Sequence, residues 1–213
     1  LVLDSKRGKV EFILMPMAKR LTRFSPNAIS GMSLVIALFA ALATFYSPEH
    51  WQILLPLVSI LVLVSGLFDA LDGKVARLTG KTSKRGDFLD HVLDRYADVL
   101  MIGAVAVSAW CNPYLGMAAI IGVLLTSYMG TQAQAVGADR KYSGLLGRAD
   151  RIVLSLIIPL VQFAIMSVNG YGWLTFGPIK LSAFELMMLW FAVVGNLTAI
   201  QRAWGTWKEL KGK

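Results

Sequence analysis

Long apolar runs alternate along the chain with short polar connections, and six of the runs approach bilayer length. They cover roughly residues 26–46, 51–71, 88–110, 114–135, 152–168 and 181–203. A spanning helix needs about 20 predominantly apolar residues, so the pattern predicts six transmembrane helices with connections too short for a second domain. Ahead of them, residues 1–24 interleave Phe12, Ile13, Leu14 and Met17 with basic side chains, the pattern of an amphipathic helix lying in the membrane interface. Ser25, Pro26 and Asn27 then form a helix-start signal. The expected architecture is an all-α integral membrane domain over residues 1–213, an interfacial helix at 1–24 and a six-helix bundle at 25–213.

Composition agrees. Hydrophobic residues make up 56% of the 213 positions and charged residues 16%, too much apolar surface for a soluble domain of this length to hide. The net charge of +8 would point to nucleic acid in a soluble chain, but its placement is one-sided. Lys6, Arg7, Lys9, Lys19, Arg20 and Arg23 precede the first run, and Lys74, Arg77, Lys81, Lys84 and Arg85 separate the second from the third. Arg140, Lys141, Arg148 and Arg151 separate the fourth from the fifth, and Arg202, Lys208, Lys211 and Lys213 close the chain, whereas the alternate connections hold only Lys180. The positive-inside rule then puts both termini in the cytoplasm, and no nucleic-acid partner is expected. Trp51, Trp110, Tyr114, Trp173, Trp190 and Trp204 fall near run ends, as an aromatic belt should. Small residues in 30–43 and 116–137 suit close helix contacts or a dimer seam. Cys111 stands alone and reads as a small apolar filler; no cleavable signal peptide is expected, and an upstream piece is compatible with a start at Leu1.

The chemistry lies in DALDGKVARLTGKTSKRGDFLDHVLD, residues 69–94. Asp69 and Asp72 are three apart, and Asp90 and Asp94 four apart, so on helices each pair shares a face. Two facing pairs would form an all-oxygen cage for Mg²⁺ or Mn²⁺, and acids at a membrane boundary mark a functional site by default. Gly73 allows close approach of a ligand, with a local helix break as the plainer reading. Arg77 suits phosphate oxygens or serves as a positive-inside anchor. Gly86 and Asp87 read as opening the third helix, with Asp87 as a cap or accessory acid. This set suggests metal-assisted transfer involving a phosphoester. A divalent-cation transporter is the alternative of a different class, disfavoured because the acids cluster at one boundary.

Asp69, Asp72, Gly73, Ala76, Arg77, Gly86, Asp90 and Asp94 together resemble, at every position and spacing, the signature of the CDP-alcohol phosphotransferases. The resemblance implies six transmembrane helices, usually a homodimer, with transfer of a phosphatidyl-type group from a CDP-linked lipid to an acceptor hydroxyl and release of CMP. It implies that Asp69, Asp72 and Asp90, with Asp94 close by, hold two ions, and that Asp94 is the general base. Asp69, Gly73, Ala76, Arg77 and Gly86 would line the cytidine diphosphate site. His91 is not fixed in the family and reads as packing or an outer contact.

Arg148 and Arg151 sit three apart at a helix start, where the dipole disfavours cations, so an anionic acceptor is expected there. The arrangement resembles the family branch that uses inositol phosphate, in which Ser127 and Arg151 match acceptor-binding positions. Basic residues expected shortly after the serine are here Gly130 and Gln132, which keeps glycerol 3-phosphate, serine and other alcohols open as acceptors.

Overall fold

The computed structural model describes residues 7–139 and 144–211. Lys6, Arg140, Lys141 and Lys213 therefore lie outside the described residues. Helices α1 (Arg7–Leu21), α2 (Pro26–Tyr46), α3 (Trp51–Leu78), α4 (Lys84–Val107), α5 (Pro113–Ala135) and α6 (Arg148–Asn169) follow one another along the chain. After them come a small antiparallel hairpin of β1 (Leu174–Phe176) and β2 (Ile179–Leu181), then α7 (Ala183–Trp190), a π turn (Phe191–Gly195) and α8 (Asn196–Leu210).

Local chemistry explains most boundaries. Ser25 caps α2 by accepting the Ala28 amide at 3.2 Å, with Pro26 in the first turn, as the sequence predicts. The helix expected to end near residue 71 instead continues as α3 to Leu78, and Gly73 does not break it. Its end is set by Gly80, whose φ of +67° suits glycine, while the Lys81 amide donates to the Ala76 carbonyl at 2.9 Å. The next helix begins earlier than expected, at Lys84, and its cap is Ser83, which accepts the Gly86 amide at 3.0 Å. Asp87 is thus an exposed first-turn acid rather than the cap. The hairpin was not foreseen in an all-α reading; it turns through Gly177 at φ +61°.

Among the described residues, five helices are long and apolar enough to cross a membrane: α2, α3, α5, α6, and α7 through α8 taken as one. The sixth expected span, α4, has the length, but within it residues 87–98 carry Asp87, Asp90, Asp94, Arg95 and Asp98. Large apolar side chains such as Phe39, Ile53, Ile60, Ile121, Ile157 and Val193 face outward, the reverse of a water-soluble surface and suited to lipid. Among the described part of α1, Leu14 and Ala18 are buried against Ile29, Leu71 and Val75, while Phe12 is 83% exposed. A helix therefore forms within the stretch where an interfacial one was expected, and it packs on the motif end of α2 and α3.

Lipid solvates apolar side chains as well as a protein interior does, so close backbone approach and polar contacts must hold the helices together. The buried small residues Ser30, Ser33, Ala37, Ala40 and Ala41 of α2 lie against α3 and α4, and Ser33 exchanges hydrogen bonds with Ser65. Gly122 of α5 lies against Gly195 in the π turn, and the Gly195 carbonyl accepts the Thr126 hydroxyl at 2.7 Å. The small-residue stretches are thus used within the chain. Trp110 departs from the belt reading: it is 4% exposed, donates its indole N–H to Ser47 at 2.7 Å and stacks on Phe184.

Cys111 joins the same core as the filler expected of it. Burial, with Glu185 beside it, pushes its thiol up to about 12. Maleimide labelling of the native protein at mildly alkaline pH is therefore expected to be slow and to become fast on unfolding, measured by mass shift. Gly122→Ala would put a methyl 2.7 Å from Asn196 Nδ2 and 2.9 Å from the Phe191 carbonyl. We expect a loss of about 1–3 kcal/mol, seen as a lower unfolding temperature in detergent. Gly103→Ala, which meets nothing within 4 Å, is expected to hold or raise that temperature.

Candidate functional site

Because α3 runs unbroken through the motif, Asp69, Asp72, Gly73, Ala76 and Arg77 fall at i, i+3, i+4, i+7 and i+8 and share one helix face. On α4, Gly86, Asp90 and Asp94 recur every fourth residue and form a second stripe. Both helices pack on α2, which leaves the two stripes facing each other across a narrow gap.

The acids converge as the spacing implies. Ligand oxygens of Asp69, Asp72 and Asp90 lie within 4.8 Å of one another, and a second group of the same tightness joins Asp90 and Asp94 with His91. Asp90 is common to both. The donors of the first group are carboxylate oxygens only, and the second adds one imidazole nitrogen, so the residues present fit one or two hard divalent cations. Asp72 is 6% exposed and accepts the Ser30 hydroxyl from α2 at 2.6 Å, which orients the carboxylate. His91 is half-buried, with ring nitrogens 3.9 Å from Asp87 and from Asp90.

Arg148, at the first position of α6, reaches the acids directly. Its Nη2 donates to Asp69 Oδ1 at 2.8 Å, and its Nη1 forms an ion pair with Asp94 Oδ2. One turn on, Arg151 is 3% exposed and donates to Asp98 at 2.9 Å. Cations at a helix start were expected to need an anionic ligand; the protein itself supplies anions, from α3 and α4. Yet the Nε atoms of Arg95, Arg148 and Arg151 are buried without a hydrogen-bond partner. A small cleft at Arg148 is lined also by Ser33, Ser65, Asp69 and Asp98.

The other expected residues are placed less tightly. Arg77 is exposed and folds back over Gly73, where a Cβ would lie 3.5 Å from its guanidinium. Gly86 stands at the mouth, close to Ser83 and to the Asn27 side chain of α2. Ala76 is half-buried on the same stripe as Arg77. Ser127 is half-buried on α5, which packs on α4, α7, the π turn and α8, and no hydrogen bond or ion pair among the described residues joins it to the acids. Three contributors escaped sequence reasoning. Asp98 continues the fourfold spacing of Asp90 and Asp94, a legible signal; Arg95 has no comparable pattern, and Ser30 lies 42 residues from its partner.

A helical membrane protein with a carboxylate cage at one end of the bundle and buried arginines beside it has the parts of a metal-assisted phosphotransfer enzyme. The chain matches the family model for CDP-alcohol phosphatidyltransferase over residues 23–200 and belongs to that family. It is therefore a transferase, which sets aside the transporter reading. The archaetidylinositol phosphate synthase of Pyrococcus horikoshii is 31% identical over 82% of this chain and 93% of its own length. The bifunctional IPC transferase and DIPP synthase of Aquifex aeolicus is 28% identical over 88% of this chain, which spans only 40% of that longer protein. The fold is that of the phosphatidylinositol phosphate synthase of Mycobacterium tuberculosis, at 22% identity in both of two crystal structures. The one with CDP-DAG bound gives a TM-score of 0.67 over 92% of this chain and 94% of the other. The one with manganese and citrate gives 0.70 over 91% and 88%.

Ser30→Ala removes the hydroxyl that holds Asp72. We expect divalent-ion affinity, read as the ion concentration giving half-maximal thermal stabilisation, to weaken by about tenfold, with little change in the fold without added ion.

Proposed function

We propose that the protein transfers a phosphatidyl-type group from a CDP-linked lipid to a hydroxyl of inositol phosphate, releasing CMP. One observation carries the choice of a phosphorylated acceptor: the buried Nε–H groups of Arg148 and Arg151, which have no hydrogen-bond partner beside the acids, since such donors call for an anion. The archaetidylinositol phosphate synthase of Pyrococcus horikoshii, matched along nearly its whole length, supports the same acceptor.

In this reading Asp69, Asp72 and Asp90, with Asp94, hold two divalent ions, Mg²⁺ or Mn²⁺. Ions held there would neutralise diphosphate oxygens and stabilise the departing CMP. Asp69, Gly73, Ala76, Arg77 and Gly86 line the cytidine diphosphate site, with Arg77 swinging off Gly73 to meet phosphate oxygens. Asp94 takes the proton from the acceptor hydroxyl. That oxygen attacks the lipid-bearing phosphorus, and the bond to the CMP oxygen breaks with its electron pair on CMP. Arg148 and Arg151 hold the acceptor phosphate, and Ser127 contacts the acceptor from α5. Gly130 and Gln132 stand where the branch has basic residues, which shifts the weight of phosphate binding onto α6. The whole chain acts as one domain, with α4 as a sixth span, both termini and the site at the cytoplasmic face, and a second copy as its partner.

The test is acceptor-dependent CMP release by purified protein with Mg²⁺ and a CDP-lipid, offering inositol 1-phosphate, glycerol 3-phosphate, serine or inositol. Activity is expected with inositol 1-phosphate, lost on chelation by EDTA and reduced by about 10³-fold or more in Asp94→Asn. Turnover with glycerol 3-phosphate or serine instead would overturn the acceptor assignment.

A further inference from the structure

Asp98 lies one turn beyond Asp94 on α4, outside the motif, and is 4% exposed. Its Oδ2 accepts Arg151 Nη2 at 2.9 Å and faces Arg95 Nε at 3.6 Å, and Arg95 Nη2 lies 3.6 Å from Asp94. Asp69, Arg148, Asp94, Arg95, Asp98 and Arg151 thus form one chain of alternating charge across α3, α4 and α6. A guanidinium is planar, so fixing one Nη fixes where the Nε–H points. Arg151 Nε is buried and has no hydrogen-bond partner, and Asp98, which holds Arg151, lines a small cleft together with Arg148.

We propose that Asp98 is a positioning residue that aims Arg151 at the acceptor's phosphate and thereby sets the preference for a phosphorylated over a neutral acceptor. The inference deepens the reading above and rests on it. Without Asp98, Arg151 keeps its charge but loses its anchor. It would turn toward Asp94 or toward water, and the phosphate would meet only Arg148 in place.

The experiment measures kcat and KM for inositol 1-phosphate, inositol and the CDP-lipid in the full-length protein, comparing wild type with Asp98→Asn, Asp98→Glu, Arg151→Gln and the double variant Asp98→Asn/Arg151→Gln. Asp98→Asn is expected to raise the KM for inositol 1-phosphate about tenfold or more. The KM for CDP-lipid and kcat should stay within about twofold of wild type, and Asp98→Glu should recover part of the loss. If Asp98 acts through Arg151, the double variant binds acceptor no worse than Arg151→Gln alone. A fall in active fraction with all KM values unchanged would mean a purely structural pair and overturn the proposal, as would additive effects in the double variant. Should Asp98→Asn fail to fold, the double variant, which removes both charges of the buried pair, decides against Arg151→Gln in the same way. Wild type inactive with inositol 1-phosphate sinks the acceptor reading and this inference with it, whereas active wild type with an unchanged Asp98→Asn sinks this inference alone.

Discussion

Four carboxylates brought together at the edge of an apolar bundle repel one another, and the Arg148 guanidinium is what the protein sets between them. It ties Asp69 of α3 to Asp94 of α4 from the first turn of α6. Three helices distant in sequence are held at one point, and the spacing of the acid stripes follows from it. The constraint is electrostatic before it is steric: α3 and α4 pack on α2 rather than closely on each other, so charge pairing across the gap replaces the side-chain packing that would join them elsewhere. Leu146 and Gly147, just ahead of Arg148, are held in turn, since the Leu146 amide donates to Thr198 on α8 and the Gly147 amide to Asp150.

Regular, local features were legible in the sequence. Apolar run length gave α2, α5 and the body of α6 nearly to the residue because a bilayer demands a fixed number of apolar positions. The spacing of Asp69, Asp72, Asp90 and Asp94 gave the face each acid occupies because helical periodicity is all that face requires. Pairings between distant elements were not legible. Ser30 reads as one more small residue until α2 is seen to cross beside Asp72, and Trp110 reads as a belt residue until Ser47 and Phe184 enclose it. Helix ends also escaped where hydropathy changes before the hydrogen-bond ladder does. In α3 the ladder continues through seven residues beyond the apolar run, and only Gly80 stops it.

The arginines of α6 show how one sequence observation can have two resolutions. Cations at the positive end of a helix dipole require an anion nearby. Asp69, Asp94 and Asp98 meet that requirement from within the chain, and they do so incompletely, since each guanidinium keeps a buried N–H to spare. Arginines whose charges are paired yet whose N–H groups are short of acceptors suit an anion that brings oxygens as well as charge, which a phosphate does and a plain alcohol does not.

The unbroken course of α3 has a mechanical consequence. Its 28 residues make a rod about 42 Å long, some 10 Å more than the hydrocarbon layer is thick. Asp69 and Asp72 stand where that excess begins. A rigid rod anchored at its Trp51 end delivers those carboxylates at a depth fixed by its own length and tilt, so a thicker or thinner bilayer must change the tilt or bury the acids. The helix works as a depth gauge, and the lipid around the protein becomes one of the variables that sets where a headgroup and a water-borne molecule can meet.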